Sequence, residues 1–363
     1  MRHADFDQRL ASLDALPVHR GRLMRVWLQG QPLDQGTRRR DSQHFLPLAL
    51  RNAVPALTAE LDGLARVRSE HAGNDGSRLL VELADGQMVE SVLLPRDGLC
   101  VSTQIGCAVG CRFCMTGKSG LIRQVSSMEI LAQVVLARRM RAVKKVVFMG
   151  MGEPAHNLEN VLEAIDLLGT EGGIGHKNLV FSTVGDPRVF EALPRQRIKP
   201  ALALSLHTTK AELRAHLLPR APRIAPEALI ELGEQYARDT GYPIQYQWTL
   251  LKGVNDGDDE LDAIVRLLKG KYGVLNVIPF NSLEGDDYQR PDPERIREIV
   301  RNLHSRGVLT KIRNSAGQDV DAGCGQLRAR AVGAEQVVEL RRTRGARPEG
   351  SPGTTHATAG APT

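Results

Sequence analysis

The chain has 363 residues, 42% of them apolar, which suffices for one barrel-sized α/β domain with smaller additions. No run of eighteen apolar residues is present, and the start, MRHADFDQRL, lacks the apolar stretch of a signal peptide. We therefore expect no membrane span and a reducing, cytoplasmic location. The formal charge of +6 suits an anionic partner such as nucleic acid, although many basic proteins bind none.

In chain order, the first zone is residues 1–70, whose pattern predicts a short helical region with a solvated loop at the three arginines 38–40. The second zone, residues 71–98, contains RLLVELADGQMVESVLLP and predicts a β-hairpin. Its two alternating stretches flank Asp85 and Gly86, a dipeptide that tolerates the positive φ of a tight turn.

Residues 99–330 alternate strand-like and helix-like stretches. Six short apolar runs predict strands: LCVSTQI, KKVVFMGMGEP, NLVFSTVG, ALALSLH, PIQYQWTLL and GVLNVIPFN. A further run, GVLTKIRNS, predicts an edge strand, and SSMEILAQVVLARRM predicts a helix in which Ser126 and Glu129 have capping-box spacing. Strands with helical crossovers indicate a parallel sheet, open or curled into part of a barrel. Residues 334–363, rich in Gly, Pro, Thr and Arg, predict a disordered basic tail.

Three of the five cysteines stand together in CAVGCRFC, as Cys107, Cys111 and Cys114. Structural zinc sites prefer four ligands, usually in two pairs, and the sequence contains no second CxxC and no HxxxH pair. A [4Fe–4S] cluster bound by three thiolates would keep one iron open for another ligand. Buried cysteines without a ligand, or a disulfide, are the remaining alternatives. The spacing favours an iron–sulfur cluster.

CxxxCxxC at the end of a first strand resembles the signature of the radical SAM superfamily. In addition, LCVSTQIGCAVGCRFC, MGMGEP, SLH, NVIPFN and DVDAGCGQL occur in the order found in radical SAM methyltransferases that modify adenine in 23S rRNA, and in some cases tRNA. This resemblance covers about residues 87–327. It implies an α/β fold with a partial (β/α)6 barrel, one [4Fe–4S] cluster on the three cysteines, S-adenosylmethionine (SAM) on the open iron, and methylation of adenine carbon 2 or 8.

The resemblance also implies a role for both remaining cysteines, with two SAM molecules per turnover. One SAM methylates Cys324, and the second yields a radical that abstracts hydrogen from this methyl group. The methylene carbon then adds to the adenine ring, and Glu90 is the implied proton acceptor, although strand alternation alone places this residue in solvent. Cys100 finally attacks Cys324 and releases the product, leaving a transient disulfide.

By matching motif, the resemblance implies SAM contacts at the C-terminal ends of strands, where α/β barrels build their sites. The residues concerned are Gly152, Glu153, Ser182, Ser205, Leu206, His207 and Asn281. As isolated residues, His207 and Asn281 are more typical of structural hydrogen bonding.

Two segments depart from the family pattern. Ser182-Thr183-Val184-Gly185 stands where the family has Ser-Thr-Ser-Gly, which removes one hydroxyl, and residues 313–317, RNSAG, have lost two charges before the methyl-carrying cysteine. Either the RNA target differs, or RNA binding shifts to another basic stretch, or that stretch is an ordinary solvated helix end. The stretch contains Arg138, Arg139, Arg141, Lys144 and Lys145.

Two alternatives to RNA methylation stay open. One is a radical SAM enzyme with a different substrate, such as a protein side chain, and the other is a non-catalytic RNA-binding module with a structural metal. Cys100, Cys324 and Glu90 favour an enzyme, because a structural protein has no use for a distant thiol pair. We further expect an electron donor such as flavodoxin, and a monomer.

Overall fold

The structure is a computed structural model that describes residues 1–35, 41, 44–74, 76–281, 287–313 and 325–331. The chain divides into two compact units, Met1–Arg328 and Ala329–Thr363. Within the described ranges, no helix is both long and apolar enough to cross a membrane. The predictions for the arginines 38–40, for Cys324 and for the tail at 334–363 fall outside the described residues, and the four-part division of the chain stays a prediction.

Three helices precede the sheet: α1 (His3–Ala11), α2 (Pro17–Leu28) and α3 (Leu48–Asp62). Each buries an apolar face, and α2 begins with Pro17, whose missing N–H has no partner to lose in the first turn of a helix. The helical region is therefore confirmed, but it ends at Asp62 rather than near residue 70. Residues from Ala65 onward form a strand because ARVRSEHAG pairs with the following strand.

One sheet contains ten strands, and its first three are antiparallel: β1 (Ala65–Gly73), β2 (Gly76–Leu83) and β3 (Met88–Leu94). β2 and β3 form the predicted hairpin, and Gly86 in its turn has a φ of +78°. β3 then pairs with β4 (Gly98–Cys100), the first strand of the parallel part.

A second, small sheet follows β4 and was not predicted from the sequence. It pairs β5 (Gln104–Gly106) with β6 (Leu121–Gln124) in antiparallel fashion. Between these strands lie the three clustered cysteines and a short helix, α4 (Met115–Lys118). The predicted strand LCVSTQI is therefore two short strands, β4 and β5, in different sheets.

The parallel part has seven strands, and strands consecutive in this part are neighbours in the sheet, as in a partial barrel. After β4 they are β7 (Lys145–Phe148), β8 (Leu179–Thr183), β9 (Ala201–Ser205), β10 (Ile244–Leu250), β11 (Gly273–Pro279) and β12 (Thr310–Ile312). The connecting helices are α5 (Ser127–Met140), α6 (Leu158–Gly169), α7 (Pro187–Ala192), α8 (Ala211–Leu217), α9 (Pro226–Thr240), α10 (Asp258–Leu268) and α11 (Pro293–Ser305). Single 3₁₀ turns occupy Pro154–Asn157, His176–Asn178 and Leu193–Arg195, and residues 326–331 are helical.

The strands predicted for the barrel, the edge strand β12 and the α/β class are confirmed. The capping box of α5 is also confirmed, because the Ser126 amide donates to the Glu129 carboxylate at 2.8 Å and the Ser126 hydroxyl oxygen accepts from the Glu129 amide. α5 is buried on nearly all sides because it lies between the sheet and the N-terminal helices. This packing joins the helical region and the barrel in one apolar core.

Candidate active site

The cysteine loop, residues 107–114, is closed by the β5–β6 hairpin. The amide of Cys107 donates to the carbonyl oxygen of Gly120 at 2.9 Å. Gly106 has a φ of +76° and brings the two chain ends so close that a Cβ there would collide with the same carbonyl oxygen. Only glycine fits this position, so the hairpin fixes both ends of the loop.

The outer side of the cysteine loop is held by the end of α8 and the turn after it. Arg112 donates from its amide to the carbonyl oxygen of Leu217 at 3.0 Å and from Nε to that of His216 at 2.9 Å. Arg220 donates from Nη1 to the carbonyl oxygen of Ala108 at 3.0 Å. Sequence analysis missed these contacts because their acceptors are backbone carbonyl groups, which no motif reveals.

The three thiols lie in largely apolar surroundings. Cys107 is buried and belongs to the same apolar cluster as Val184 and Phe280, whereas Cys111 and Cys114 are half-buried. Burial raises the pKa of Cys107 to about 12 and raises that of Cys111 well above its ordinary value, and the neighbouring thiols reinforce both shifts. Ionising the thiols of Cys107 and Cys111 therefore requires a strong positive charge beside them, which bound metal provides.

Three thiols can bind either a single metal ion or separate iron atoms of an iron–sulfur cluster. In the part of the chain that the structure describes, no three His, Cys, Asp or Glu side chains converge closely enough to bind one ion. An iron–sulfur cube takes each thiolate on a different iron atom, so its ligands stand farther apart than those of one zinc ion. The thiols still influence one another's pKa, so they are near neighbours.

Gly152 and Glu153, after β7, lie beside Gln104 of β5. The amide of Glu153 donates to Oε1 of Gln104 at 2.7 Å. Gly152 has a φ of +106°, and a Cβ there would lie 2.6 Å from the Cβ of Gln104. Both the backbone conformation and this close approach therefore require glycine. Sequence analysis missed Gln104, because a single polar residue in a short strand gives no signal.

The Glu153 carboxylate is buried and accepts hydrogen bonds from two backbone amides. Ala155 donates to Oε1 at 3.2 Å and Val184 donates to Oε2 at 3.0 Å. Burial raises the pKa of Glu153 to about 7, although the Thr183 side chain and both amides oppose the shift. Because Val184 donates to Glu153 through its backbone amide, the loss of a side-chain hydroxyl at position 184 leaves this hydrogen bond in place.

The other predicted SAM contacts lie at the ends of neighbouring strands, as the motifs indicated. Ser182 is in β8, Ser205 ends β9, and Asn281 follows β11, and all three are half-buried. Leu206, directly after β9, is fully buried in the main core, so only its backbone can face a ligand. These residues therefore lie at the same edge of the barrel. Leu206 differs from the rest because its side chain is buried in the core.

His207 connects the end of β9 to the cysteine loop. Its Nδ1 accepts a hydrogen bond from the amide of Thr249 at 2.9 Å, and its ring meets that of Phe113 edge-on, with centroids 4.8 Å apart. Its φ is +64°. Burial lowers the pKa of His207 to about 3, with a further contribution from the Arg214 cation, so the imidazole is neutral at pH 7.

Glu90 on β3 is 1% exposed, so the alternative of a solvent-exposed carboxylate is wrong. Its Oε2 accepts a hydrogen bond from Nη1 of Arg78 on β2 at 3.2 Å. Burial raises the pKa of Glu90, while backbone amides and the Arg78 cation oppose the shift. A buried carboxyl group with a raised pKa has the properties that a general base needs.

The same carboxylate contacts the chain just after Cys324. Oε1 of Glu90 accepts a hydrogen bond from the amide of Arg328 at 3.1 Å, and the amides of Gly325 and Leu327 also lower its pKa. Amides at the start of a helix are natural partners for a carboxylate, because no carbonyl oxygen within the helix accepts from them. Sequence analysis predicted a base and a cysteine at these places but no contact between their segments.

Gly325, the residue after Cys324, also lies against the chain that follows the cysteine loop. Its φ is +94°, and a Cβ there would lie 2.7 Å from Oγ1 of Thr116, two residues beyond Cys114. The start of the C-terminal helical segment is therefore in contact with Glu90 on one side and with α4 on the other. Cys324 itself is outside the described residues.

Cys100 is buried at the end of β4, where it pairs with Val92 of β3. It also pairs with Val147 of β7, and it belongs to an apolar cluster that includes Val180, Ala201 and Ala203. No disulfide is seen among the described residues, and the predicted partner Cys324 is not one of them. The transient disulfide stays a prediction.

The basic stretch proposed as a substitute RNA contact is used within the protein. Arg138 and Arg141 donate to backbone carbonyl oxygens of neighbouring segments. Arg139 and Lys144 form ion pairs with aspartates at 2.7 and 2.8 Å, and burial lowers the pKa of Lys145. Four of the five basic side chains in this stretch therefore have partners within the protein. Of the altered segment 313–317, only Arg313 is described, and its Nε donates to Asn276 at 3.2 Å.

Comparison with known proteins agrees with this geometry. Residues 101–268 match the Radical SAM superfamily. The chain is 86% identical over 342 residues to a "Probable RNA methyltransferase" of Bordetella avium, covering 94% of this chain and 97% of that one. A protein of the same description from Pseudomonas aeruginosa is 72% identical over 333 residues, covering 92% and 96%. The crystal structure of a radical SAM methyltransferase from Sphaerobacter thermophilus is similar with a TM-score of 0.75 and 33% identity, covering 90% and 97%. The chain therefore belongs to the radical SAM superfamily and, within it, to the family of these methyltransferases.

Proposed function

We propose that this chain is a SAM-dependent RNA methyltransferase that adds a methyl group to carbon 2 or 8 of an adenine in rRNA or tRNA. The names of its relatives support RNA as the substrate. The observation that carries the mechanism is the contact between the buried Glu90 carboxylate and the chain directly after Cys324. This contact unites the proposed base with the segment of the proposed methyl carrier, next to the strand of Cys100.

The superfamily implies SAM and a [4Fe–4S] cluster. We assign the cluster to Cys107, Cys111 and Cys114, whose number, spacing and chemistry fit it. Bound together, cluster and SAM supply the radical that removes hydrogen from a methyl group. Around SAM we place the strand-end residues Gly152, Glu153, Ser182, Ser205, Leu206, His207 and Asn281.

The protein's own residues handle the carbon and the protons. A ring carbon such as C2 or C8 has no lone pair to attack a methyl cation, so the methyl group is first held by the sulfur of Cys324. After the methylene carbon has bonded to the ring, the adduct must lose one proton and one electron: Glu90 takes the ring proton, and a cluster held by Cys107, Cys111 and Cys114 would accept the electron. The Cys100 thiolate then attacks the Cys324 sulfur, the sulfur–carbon bond breaks, and the carbon takes a proton to become the product methyl group.

Intact mass spectrometry with peptide mapping tests this function. The protein is purified anaerobically after expression with iron, and we expect one added methyl or methylene group on Cys324 and about four irons per chain. Nucleoside analysis of RNA from a deletion strain should then show a missing methyladenine. If Cys324 stays unmodified after incubation with SAM, the cluster assignment still stands but the proposed methyltransferase activity is refuted. An electron donor such as flavodoxin and a monomeric state are further predictions.

A further inference from the structure

Three polar residues lie on the same face of β2, β3 and β4. Val92 of β3 pairs with Arg78 of β2 on one side and with Cys100 of β4 on the other, without a bulge between them. Residues that pair directly share a face of the sheet, with Cα atoms about 4.5–5.5 Å apart, and Glu90 shares that face because it is two residues from Val92. Arg78, Glu90 and Cys100 therefore surround a single valine.

The opposite face of β3 is fixed independently. Ser91 donates from its hydroxyl to Oε1 of Gln133 in α5 at 2.9 Å, and the hydroxyl of Ser102 donates to the carbonyl oxygen of Glu90 at 2.5 Å. The backbone at Glu90 is thus held by neutral groups. What remains to be fixed is the direction and the charge of its side chain.

Arg78 contributes to both, together with the backbone amides of Gly325 and Arg328. Its side chain is 2% exposed, it donates to Oε2 of Glu90, and a guanidinium keeps its charge at any physiological pH. A buried ionised carboxylate needs such a partner, because the cost of removing the charge from water is otherwise several kcal/mol. With Oε2 turned to Arg78, Oε1 faces the amides at the start of the C-terminal helical segment.

We propose that Arg78 is a positioning residue, whose guanidinium holds the Glu90 carboxylate ionised and directed at residues 325–328, and so fixes the segment that follows Cys324 beside Cys100. This inference rests on the proposed function for its catalytic consequence. Its structural part, that Arg78 acts through Glu90 on the segment after Cys324, holds whether or not methylation is the reaction.

The titratable and charged groups that face Glu90 are Arg78 from β2, Arg328 from the C-terminal segment and the Cys100 thiol from β4. Burial raises the pKa of Glu90 and the Arg78 cation opposes this shift, so removal of the cation moves the pKa further upward. A base acts only when it is unprotonated. The acid side of the pH profile should therefore move to higher pH when Arg78 is replaced.

The first measurement is hydrogen–deuterium exchange of the reconstituted full-length protein, which needs no activity. In Arg78→Met we expect amides 325, 327 and 328 to exchange about tenfold or more faster, because loss of the buried partner releases their acceptor. The amides of α5 should exchange as in the wild type. Arg66→Met, on the neighbouring strand β1, is the matched control, since Arg66 pairs with Glu82 on the surface. Unchanged exchange at all three amides would overturn the proposal.

The second measurement is methyladenine formation on RNA from the deletion strain, between about pH 6 and 9. Arg78→Met should lower the rate about tenfold or more at the acid end and recover toward high pH, and Arg78→Lys should retain most of the wild-type profile. An equal loss at every pH in both variants would overturn the assigned role. If Arg78→Met does not fold, Arg78→Gln must still lower the rate at the acid end more than Arg78→Lys does, or the proposal fails. An unmodified Cys324 in the wild type would refute the proposed function, while the exchange measurement would still decide the role of Arg78.

Discussion

The cysteine loop takes its three thiols from eight consecutive residues, whereas the pocket around Glu90 draws its members from β2, β3 and the C-terminal segment. In the loop, hydrogen bonds and close glycine contacts set the geometry. The negative charge of the thiolates must be balanced by a bound metal group. In the pocket, the protein supplies the opposite charge itself through Arg78. Substitutions in the loop should therefore affect metal content, and substitutions in the pocket should affect proton transfer.

The largest effect is expected for Cys111→Ala, because one ligand of three is lost. Iron content should fall to a small fraction of the wild-type value, and methyladenine formation should disappear. Cys100→Ala, on the strand β4 beside the pocket, is the control. It should keep its iron and accumulate a covalent enzyme–RNA adduct, visible by gel electrophoresis, and loss of iron in this variant would make Cys100 a ligand instead.

Glu90→Gln should separate the two regions most sharply. The amide keeps the size of the side chain but cannot accept the ring proton, so the rate should fall about 10²–10⁴-fold. Iron content and the methyl group on Cys324 should stay at the wild-type level. Glu82→Gln, on the same hairpin but paired with Arg66 at the surface, should have little effect. A Glu90→Gln rate within twofold of wild type would refute the assigned base.

Gly106→Ala and Gly120→Ala test the steric closure of the cysteine loop. Both glycines have positive φ, so alanine costs about 1–3 kcal/mol at either position. At Gly106 the new Cβ would also collide with the carbonyl oxygen of Gly120, whereas at Gly120 no atom lies within 4 Å. Only Gly106→Ala should lose iron on reconstitution. Equal iron retention in both variants would show that the closure is not required.

The imidazole of His207 is neutral in the folded protein, whereas it can take up a proton in the unfolded chain. Its contribution to folding stability therefore depends on pH. Its pKa is about 3 in the folded protein and about 6.5 in the unfolded chain. Between these values the unfolded state binds the additional proton, so folding stability should decrease as the pH falls below 6.5, by about 1.4 kcal/mol per unit. Urea unfolding at several pH values, compared with His207→Asn, should show a flatter dependence in the variant. Asparagine tolerates the left-handed backbone there. Parallel curves would contradict this assignment.

The smallest effect is expected for Arg139→Ala and Lys144→Ala, which lie outside both regions and pair with aspartates. Their affinity for RNA should change by less than about twofold, and the slope of affinity against salt concentration should stay the same. Filter binding at several salt concentrations measures both quantities. A lower slope in either variant would show that this basic stretch contacts RNA.

The features that could be predicted from the sequence lie within short stretches of the chain, and those that could not be predicted join distant stretches. The barrel strands, the hairpin and the three clustered cysteines were predictable because each depends on residues close together in the chain. The contact between Glu90 and the segment after Cys324 was not, since it joins residues far apart in sequence. Arg78 was missed for the same reason, because an arginine in an alternating strand normally faces solvent.

The misplaced end of the helical zone and the exposed alternative for Glu90 both have local causes. The helical zone was extended past Asp62 because polar residues of the edge strand β1 alternate only weakly between buried and exposed. The alternative of an exposed Glu90, drawn from strand alternation alone, assumed one solvated face, but β3 is covered on both faces, by α5 and by the C-terminal segment. A burial pattern of period two appears only where one face meets water.

The hydrogen bond from Arg328 to Glu90 spans 238 residues of chain, and this separation sets an order of assembly. During synthesis the hairpin and the cysteine loop emerge from the ribosome first, and the last residues of the barrel follow. Until residue 328 is released, Glu90 has its cation but lacks its amide partners. The pocket is therefore completed later than the cysteine loop, and a nascent chain that already carries all three clustered cysteines still lacks the amide partners of Glu90.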